Sequence, residues 1–245
     1  MMGELVFVKL NLPWQYDPYS DPPLGMLSVI SEARKDKRVS VNLLDLAHQE
    51  LDASSDFYAF SASTLEYPEA EKKAREILKE NPEAKIIAGG PHFDVFSDAY
   101  WENKIHQTPF HIISRGEGES TIHSVLDHLF LNGQKKVISQ KGGLLDLDSL
   151  DLPARDILDK EKYFQPGKTF GTNDIKANGR SSTIMASRGC PYICSFCASP
   201  TLHSRKLRFR SLENTILELK DLQENYGIGA LRWQDDCIPV LSGKT

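Results

Sequence analysis

Cysteine is absent before position 190, and the whole chain of 245 residues has only four. This excludes the disulfide framework of small secreted domains, whose cysteines are scattered through the chain. No run of about 18 apolar residues occurs, so no membrane-spanning helix is expected. Met1 to Asn11 alternates apolar and polar residues and lacks the basic-then-apolar plan of a signal peptide. Together these absences predict a cytoplasmic protein. A strong charge of either sign is also missing. There are 29 Lys+Arg against 34 Asp+Glu, a net charge of −5, which argues against a general nucleic-acid binder. What is present is ordinary for a globular protein, with 40% hydrophobic and 26% charged residues. The length suits one large or two modest domains.

Hydrophobic periodicity gives a βα alternation in the first half. Strands are expected at Leu5–Leu10, Val39–Leu46, Asp56–Ser63, Ala84–Ala88 and His111–Ser114, and helices at Leu24–Lys35, Pro68–Glu80 and about Ser120–Leu131. Such alternation means a parallel sheet covered on both faces. Ligands of these sheets sit outside the carboxyl ends of the strands. Those ends carry Asn11–Trp14, Ser61–Leu65, Gly89–His92 and Gly116–Glu119. The glycines there admit a ligand, or simply end strands in tight turns.

Two resemblances to nucleotide motifs fail. Gly116-Glu117-Gly118-Glu119-Ser120-Thr121 lacks the third glycine of a dinucleotide fingerprint and puts two carboxylates where a pyrophosphate would lie. The chain end, Gly243-Lys244-Thr245, would need a glycine where Ile238 stands. From about Val137 to Ser182 the pattern weakens, with breaks at Gly142-Gly143, Leu152-Pro153 and Gly167–Arg180. A linker over 139–181 is expected between a first domain, 1–138, and a second, 182–245, whose first strand is Ser182–Ala186.

Three of the four cysteines, Cys190, Cys194 and Cys197, crowd into the loop after that strand with the spacing Cys-x3-Cys-x2-Cys. Three close thiolates can hold three corners of an iron–sulfur cube, leaving the fourth iron open to substrate. Structural zinc is the competing reading, with Cys237 or His203 as fourth ligand. Zinc ligands are usually paired in two-residue hairpins, and here the halves are unequal. Cys237 is read as an ordinary buried cysteine.

The loop, with Phe196 before its last cysteine, resembles the signature of the radical S-adenosylmethionine (SAM) superfamily. The order that follows, Leu207-Arg208-Phe209-Arg210-Ser211, Glu213-Asn214 opening a helix at Thr215–Glu224, Tyr226-Gly227 and then Leu231–Asp236, resembles the subgroup in which a cobalamin-binding domain precedes the radical SAM barrel. The resemblance implies an α/β protein: a Rossmann-like parallel sheet of the cobalamin-binding type, then the first units of a partial (β/α) barrel. It implies a [4Fe–4S] cluster on Cys190, Cys194 and Cys197, with SAM chelating the open iron. Reductive cleavage of SAM would give a 5′-deoxyadenosyl radical that abstracts hydrogen from a small-molecule substrate. Phe196 would lie near the adenine, and Asp235 and Asp236 would face the SAM pocket or simply stop a strand. Arg208 and Arg210 would be solvated charges or cations at the cluster rim. Cobalamin would lie on Ser61, Ser63, Thr64, Gly89, Gly90, Pro91, Gly116, Glu117 and Gly118. A reducing electron donor such as a flavodoxin or ferredoxin is the implied partner, and methyl transfer is the favoured reaction.

The chain departs from the pattern twice. The motif Asp-x-His-x-x-Gly, which supplies a histidine to cobalt, is absent, and Asp45-Leu46-Ala47-His48 has the wrong spacing. Cobalamin would therefore have no lower histidine ligand from the protein. The residues from Ala198 to Thr245 suffice for only one helix and one more strand, whereas a full barrel takes about 250 residues. The expectation is a C-terminally truncated barrel whose last strand, Leu231–Gln234, presents an unpaired edge. The non-enzyme alternative is a remnant that binds cobalamin, SAM or a cluster without catalysis. A tRNA methylthiotransferase would carry further cysteines in its N-terminal domain, and none precedes Cys190.

Overall fold

The computed structural model describes residues 3–131, 133–140, 143–165 and 180–237. The chain forms two compact units, one of Met1–Tyr19, Pro23–Leu145 and Leu150–Asp159, the other of Ser20–Pro22, Asp146–Ser149 and Lys160–Thr245. The stretch expected as a linker is thus divided between the units. Gly142, 167–179 and 243–245 lie outside the described residues.

The first unit is built on six strands: β1 (Gly3–Lys9), β2 (Val39–Asp45), β3 (Phe57–Ser61), β4 (Lys85–Gly89), β5 (Ile112–Arg115) and β6 (Lys136–Ser139). They lie in the order β2-β1-β3-β4-β5-β6, and every pairing is parallel. Successive strand residues point to opposite faces, and both faces are apolar. Val6, Val8, Tyr58, Phe60, Ile86 and Ala88 share one core cluster with Ala70, Ala74 and Ile77 of α2 (Tyr67–Glu80). Two of these three α2 residues are alanines, which let the helix lie close to the sheet. Leu5, Phe7, Ala59, Ile87 and Ile112 alternate with that set. Their layer is supplied by Leu27 and Ile30 of α1 (Leu24–Ala33) and Ile122, Val125 and Leu126 of α5 (Gly118–Phe130), all buried.

Between β4 and β5 the chain makes two short helices, α3 (Pro91–Asp94) and α4 (Asp98–Lys104). The sequence pattern did not predict them, because neither is long enough to show a 3.6-residue period. They carry Phe93 and Trp101, both buried, and Trp101 Nε1 donates to the Phe93 carbonyl at 2.9 Å. The sixth strand was also missed: β6 has four residues, is only partly buried and lies at the sheet edge, so its alternation is too brief to read.

In the second unit, α6 (Lys160–Tyr163) is followed by β7 (Arg180–Ile184), β8 (Ser187–Arg188), α7 (Ser199–Leu202), β9 (Arg208–Phe209), α8 (Leu212–Tyr226) and β10 (Ile228–Trp233). β10 pairs with β7 in parallel, and β8 with β9 antiparallel. Helix α8 starts earlier than the expected Thr215, because the Ser211 side chain caps it by accepting from the Asn214 N–H at 3.1 Å. It ends at Gly227 in the left-handed conformation, φ 67°. Thr215, Glu218, Leu222 and Tyr226 recur at helical spacing and are its buried face. Among the described residues, no helix is long and apolar enough to cross a membrane.

Candidate functional site

In the second unit the cysteine loop is held at its base. Gly189 has φ 97°, and a Cβ there would come within 2.5 Å of the Lys206 carbonyl oxygen, so only glycine lets the incoming strand pass the returning one. The Cys190 N–H donates to the Ser204 carbonyl at 3.3 Å, and the Cys197 N–H to the Cys194 carbonyl at 3.1 Å. Residues 191–197 between these anchors are all exposed, Phe196 at 91%. Tyr192 and Ile193 are exposed beside it. Neighbouring exposed apolar side chains of this size mark a surface that something else covers.

All four cysteines are free thiols. Cys194 and Cys197 are exposed and Cys190 is half-buried. Among the described residues, no three His, Cys, Asp or Glu side chains converge as a site for a metal ion. The donor set, three thiolates in one loop, is of the type that ligates an iron–sulfur cube, each thiolate on a different iron. Cys237 is half-exposed rather than buried, because β10 ends before it, and its thiol lies beside that of Cys190. Desolvation, then the Cys190 thiol and Asp236, push the Cys237 thiol up.

Asp235 and Asp236 follow one residue after β10 and turn toward the cysteine loop. Asp235 accepts from the Ser187 hydroxyl and, at 3.2 Å, from the Ala186 N–H. Asp236 accepts from the Gly189 N–H at 3.3 Å and from the Ser199 hydroxyl at 2.7 Å. The pair therefore grips the loop on both sides of its cysteines. Ser187 and Ser199 were missed by sequence reasoning, since their partners lie 48 and 37 residues away. Arg210 is not a solvated charge. Its guanidinium pairs with buried Glu218, and it also donates to Asn214 Oδ1 at 2.8 Å and the Met185 carbonyl at 3.2 Å.

In the first unit the sheet order reverses between β1 and β3, and the segments after these strands flank the switch point. The loops after β3 and β4 are stitched together. The Ala62 N–H donates to the Gly89 carbonyl and the His92 N–H to the Ala62 carbonyl, both at 2.9 Å, and Thr64 Oγ1 bonds His92 Nδ1 at 3.2 Å. Ser63 N–H donates to Glu66 Oε2 at 2.7 Å. Gly90, at φ 93°, sits where a Cβ would meet Ser61 Oγ at 2.6 Å, and Pro91 opens α3 after it. Ser61 thus joins Ser63, Thr64, Gly89, Gly90 and Pro91 in one continuous rim. Around it Trp14 (60%) and Leu65 (72%) are exposed.

Gly116, Glu117 and Gly118 are organised differently. The Gly116 N–H donates to Asp94 Oδ1 at 2.7 Å, and burial pushes the Asp94 carboxyl up to about 6. The Glu117 side chain is buried and accepts from the Leu145 N–H at 3.3 Å. Its backbone N–H donates to Gln140 Oε1 at 3.0 Å. A Cβ on Gly118 would meet Val29 of α1 at 2.6 Å. These residues knit α1, α5 and the chain after β6 together, and the Glu117 carboxylate points inward. His48 bonds the Tyr19 hydroxyl at 3.2 Å and lies 3.8 Å from Asp45.

No family model matches the chain. It is similar to an uncharacterized methyltransferase of Pyrococcus horikoshii, 26% identical over 242 residues, covering 89% of this chain and 50% of the relative. It is also similar to the hopanoid C-3 methylase of Methylococcus capsulatus, 30% identical over 224 residues, covering 82% of this chain and 40% of the relative. Among solved structures, the cobalamin-dependent SAM radical enzyme OxsB, with aqua-cobalamin and SAM bound, matches with a TM-score of 0.69 at 19% identity, covering 96% of this chain and 34% of OxsB. The radical SAM methyltransferase TsrM of Kitasatospora setae, with tryptophan and a SAM analogue bound, matches with a TM-score of 0.61 at 17% identity, covering 96% of this chain and 48% of TsrM. At such identities the likeness shows the fold alone, an α/β protein whose first unit carries a six-stranded parallel sheet like the Rossmann-like domain of OxsB and TsrM. The chain spans half or less of the length of these relatives.

Proposed function

We propose that this chain is a cobalamin-dependent radical SAM methyltransferase, or the cofactor-binding part of one. The observation that carries the reading is the solvent-facing loop of three unpaired cysteines, Cys190, Cys194 and Cys197, clasped by Asp235 and Asp236. The methyltransferase relatives favour methyl transfer over the other reactions open to such an arrangement. When bound, the [4Fe–4S] cluster supplies an electron to SAM and cobalamin carries a methyl group.

The chain's own residues would do the holding. The three thiolates would each take one iron. Asp235 and Asp236 would fix the loop through Ala186, Ser187, Gly189 and Ser199, so that the cysteines stay at a constant spacing. Phe196, exposed as it is, would be covered by the adenine of SAM. On the first unit, Ser61, Ser63 and Thr64 with the Gly89–Pro91 turn would offer hydroxyls and backbone N–H groups, and Trp14 and Leu65 an apolar rim, to the edge and face of cobalamin. Gly116 and Gly118 would shape the neighbouring turn. A low-potential donor such as a flavodoxin or ferredoxin would be the partner, and a small molecule the substrate.

The test is electron paramagnetic resonance of the anaerobically reconstituted, reduced chain with and without SAM. The expected outcome is a [4Fe–4S]⁺ signal that changes on adding SAM, with release of 5′-deoxyadenosine on turnover. Cys190→Ala, Cys194→Ala and Cys197→Ala should each abolish the signal, and Cys237→Ala should leave it. A signal indifferent to SAM would favour a non-catalytic cluster binder. Zinc in place of iron would overturn the reading.

A further inference from the structure

The strands of the first unit are parallel, so its sheet has a second rim, at their amino ends and far from the loops discussed above. There the last turns of α2, the turn into β4 and the residues just before β5 and β6 frame an open, solvent-facing cavity of about 460 Å³. Four of its lining side chains are nitrogen donors: Arg75, Lys79, His111 and Lys135. No carboxylate lines it. Leu78 and Pro82 give it apolar walls.

Three of the donors are held in place by other groups. Lys135 is fixed by two carbonyls, donating to Thr108 at 2.5 Å and Ile105 at 3.3 Å, which leaves one of its three hydrogens for a ligand. His111 Nδ1 accepts the Ile86 N–H at 3.1 Å, so the neutral ring carries its proton on Nε2 and is a donor there. Arg75 uses Nη2 on Glu71 (2.6 Å) and on the Gln107 carbonyl (3.4 Å), and its Nε and Nη1 hydrogens make no bond among the described residues. Lys79 makes no ion pair among the described residues.

The cations also repel one another. Burial and Arg75 push the Lys135 ammonium down, and burial with Lys85 and Lys135 pushes His111 down to about 4. Glu71, outside the cavity, pairs with Arg75 at 2.6 Å. An anion in the cavity would relieve this repulsion.

We propose that this cavity is a binding site for the phosphate group of an organic phosphomonoester, whose apolar part lies on Leu78 and Pro82. Donors arriving from a helix, a strand start and a loop call for more acceptor oxygens than a carboxylate's planar pair, and a phosphate has three. The volume exceeds what a bare phosphate needs. The site is independent of cysteine and cobalamin chemistry, and it sits on a rigid sheet end.

Titration of the full chain with phenyl phosphate at constant ionic strength, followed by the His111 ring signals in NMR, tests the proposal. A saturable His111 shift is expected, with affinity about tenfold weaker in Arg75→Ala and in Lys79→Ala. Both residues are exposed on α2, so their loss should spare the fold, and unchanged circular dichroism would establish that. Lys135→Gln is the less clean variant, because it also releases two carbonyls. Absence of a saturable shift, affinity unaltered in the Arg75→Ala/Lys79→Ala double variant, or equal binding of benzoate or phenol would overturn the proposal.

Discussion

Gly90 and Gly25 illustrate how one residue type answers to two different requirements. Gly90 combines a φ of 93° with a Cβ direction aimed at Ser61 Oγ, 2.6 Å away. Gly25 lies exposed in α1, with nothing within 4 Å of a Cβ. Gly90→Ala should therefore destabilise the first unit by about 1–3 kcal/mol, and Gly25→Ala should stabilise it by about 0.4–1 kcal/mol. Urea unfolding of the two variants checks both signs. The aspartate pair makes a second prediction at this scale. Asp235→Ala and Asp236→Ala each remove acceptors from the strand side of the cysteine loop, so iron content after reconstitution should fall severalfold while helix content stays constant. Full iron occupancy in the double variant would mean that the carboxylates do not position the loop. Little of this was legible in the sequence. The two aspartates stood out as a pair, but Ser187 and Ser199 did not, because contacts across 48 and 37 residues leave no local pattern.

Among the elements, α8 shows how capping defines bounds that periodicity blurs. The family resemblance placed its start at Thr215, whereas Ser211 caps the first turn and Leu212 is already helical. Ser211 N–H is itself held by the Asp148 carboxylate at 2.8 Å. Ser211→Ala should cost about 1 kcal/mol, measured as a lower midpoint of chemical unfolding, and Ser211→Asp should restore most of it. Long elements with a clear period, such as α2 and α5, were readable within two residues of their ends. The short ones, α3, α4 and β6, have too few residues to show a period, although Ser97 caps α4 by accepting from the Tyr100 N–H at 3.2 Å, and their place is set by what they bury. Phe93 and Trp101 fill the space under the rim.

For the whole molecule, two groups at opposite ends of one sheet set opposing responses to pH. The His111 value in the folded chain, about 4, lies below its ordinary 6.5. Its contribution to stability is therefore present above pH 6.5 and is lost as the pH falls toward 4. Asp94, raised from 3.8 to about 6, contributes below pH 3.8 and loses that contribution as the pH rises through 6. Across pH 4–6 the two slopes oppose each other. Asp94→Asn should make the melting temperature climb more steeply with pH in that window, and His111→Gln should flatten or invert the climb. Melting curves of the two single variants at several pH values decide this, and parallel profiles would refute the assignment.

By itself the sequence determined the α/β alternation, the parallel sheet and the cysteine loop, because each rests on a local repeat or spacing that neighbouring residues carry. Apolar alternation specifies a strand wherever it later pairs, and Cys-x3-Cys-x2-Cys is a property of eight consecutive residues. The tertiary structure alone decided the strand order, the sixth strand, the inward turn of Glu117, the approach of Cys237 to Cys190 and the gathering of Arg75, Lys79, His111 and Lys135. Those depend on side chains from distant segments meeting in space, and such meetings are fixed by packing and burial over the whole sheet.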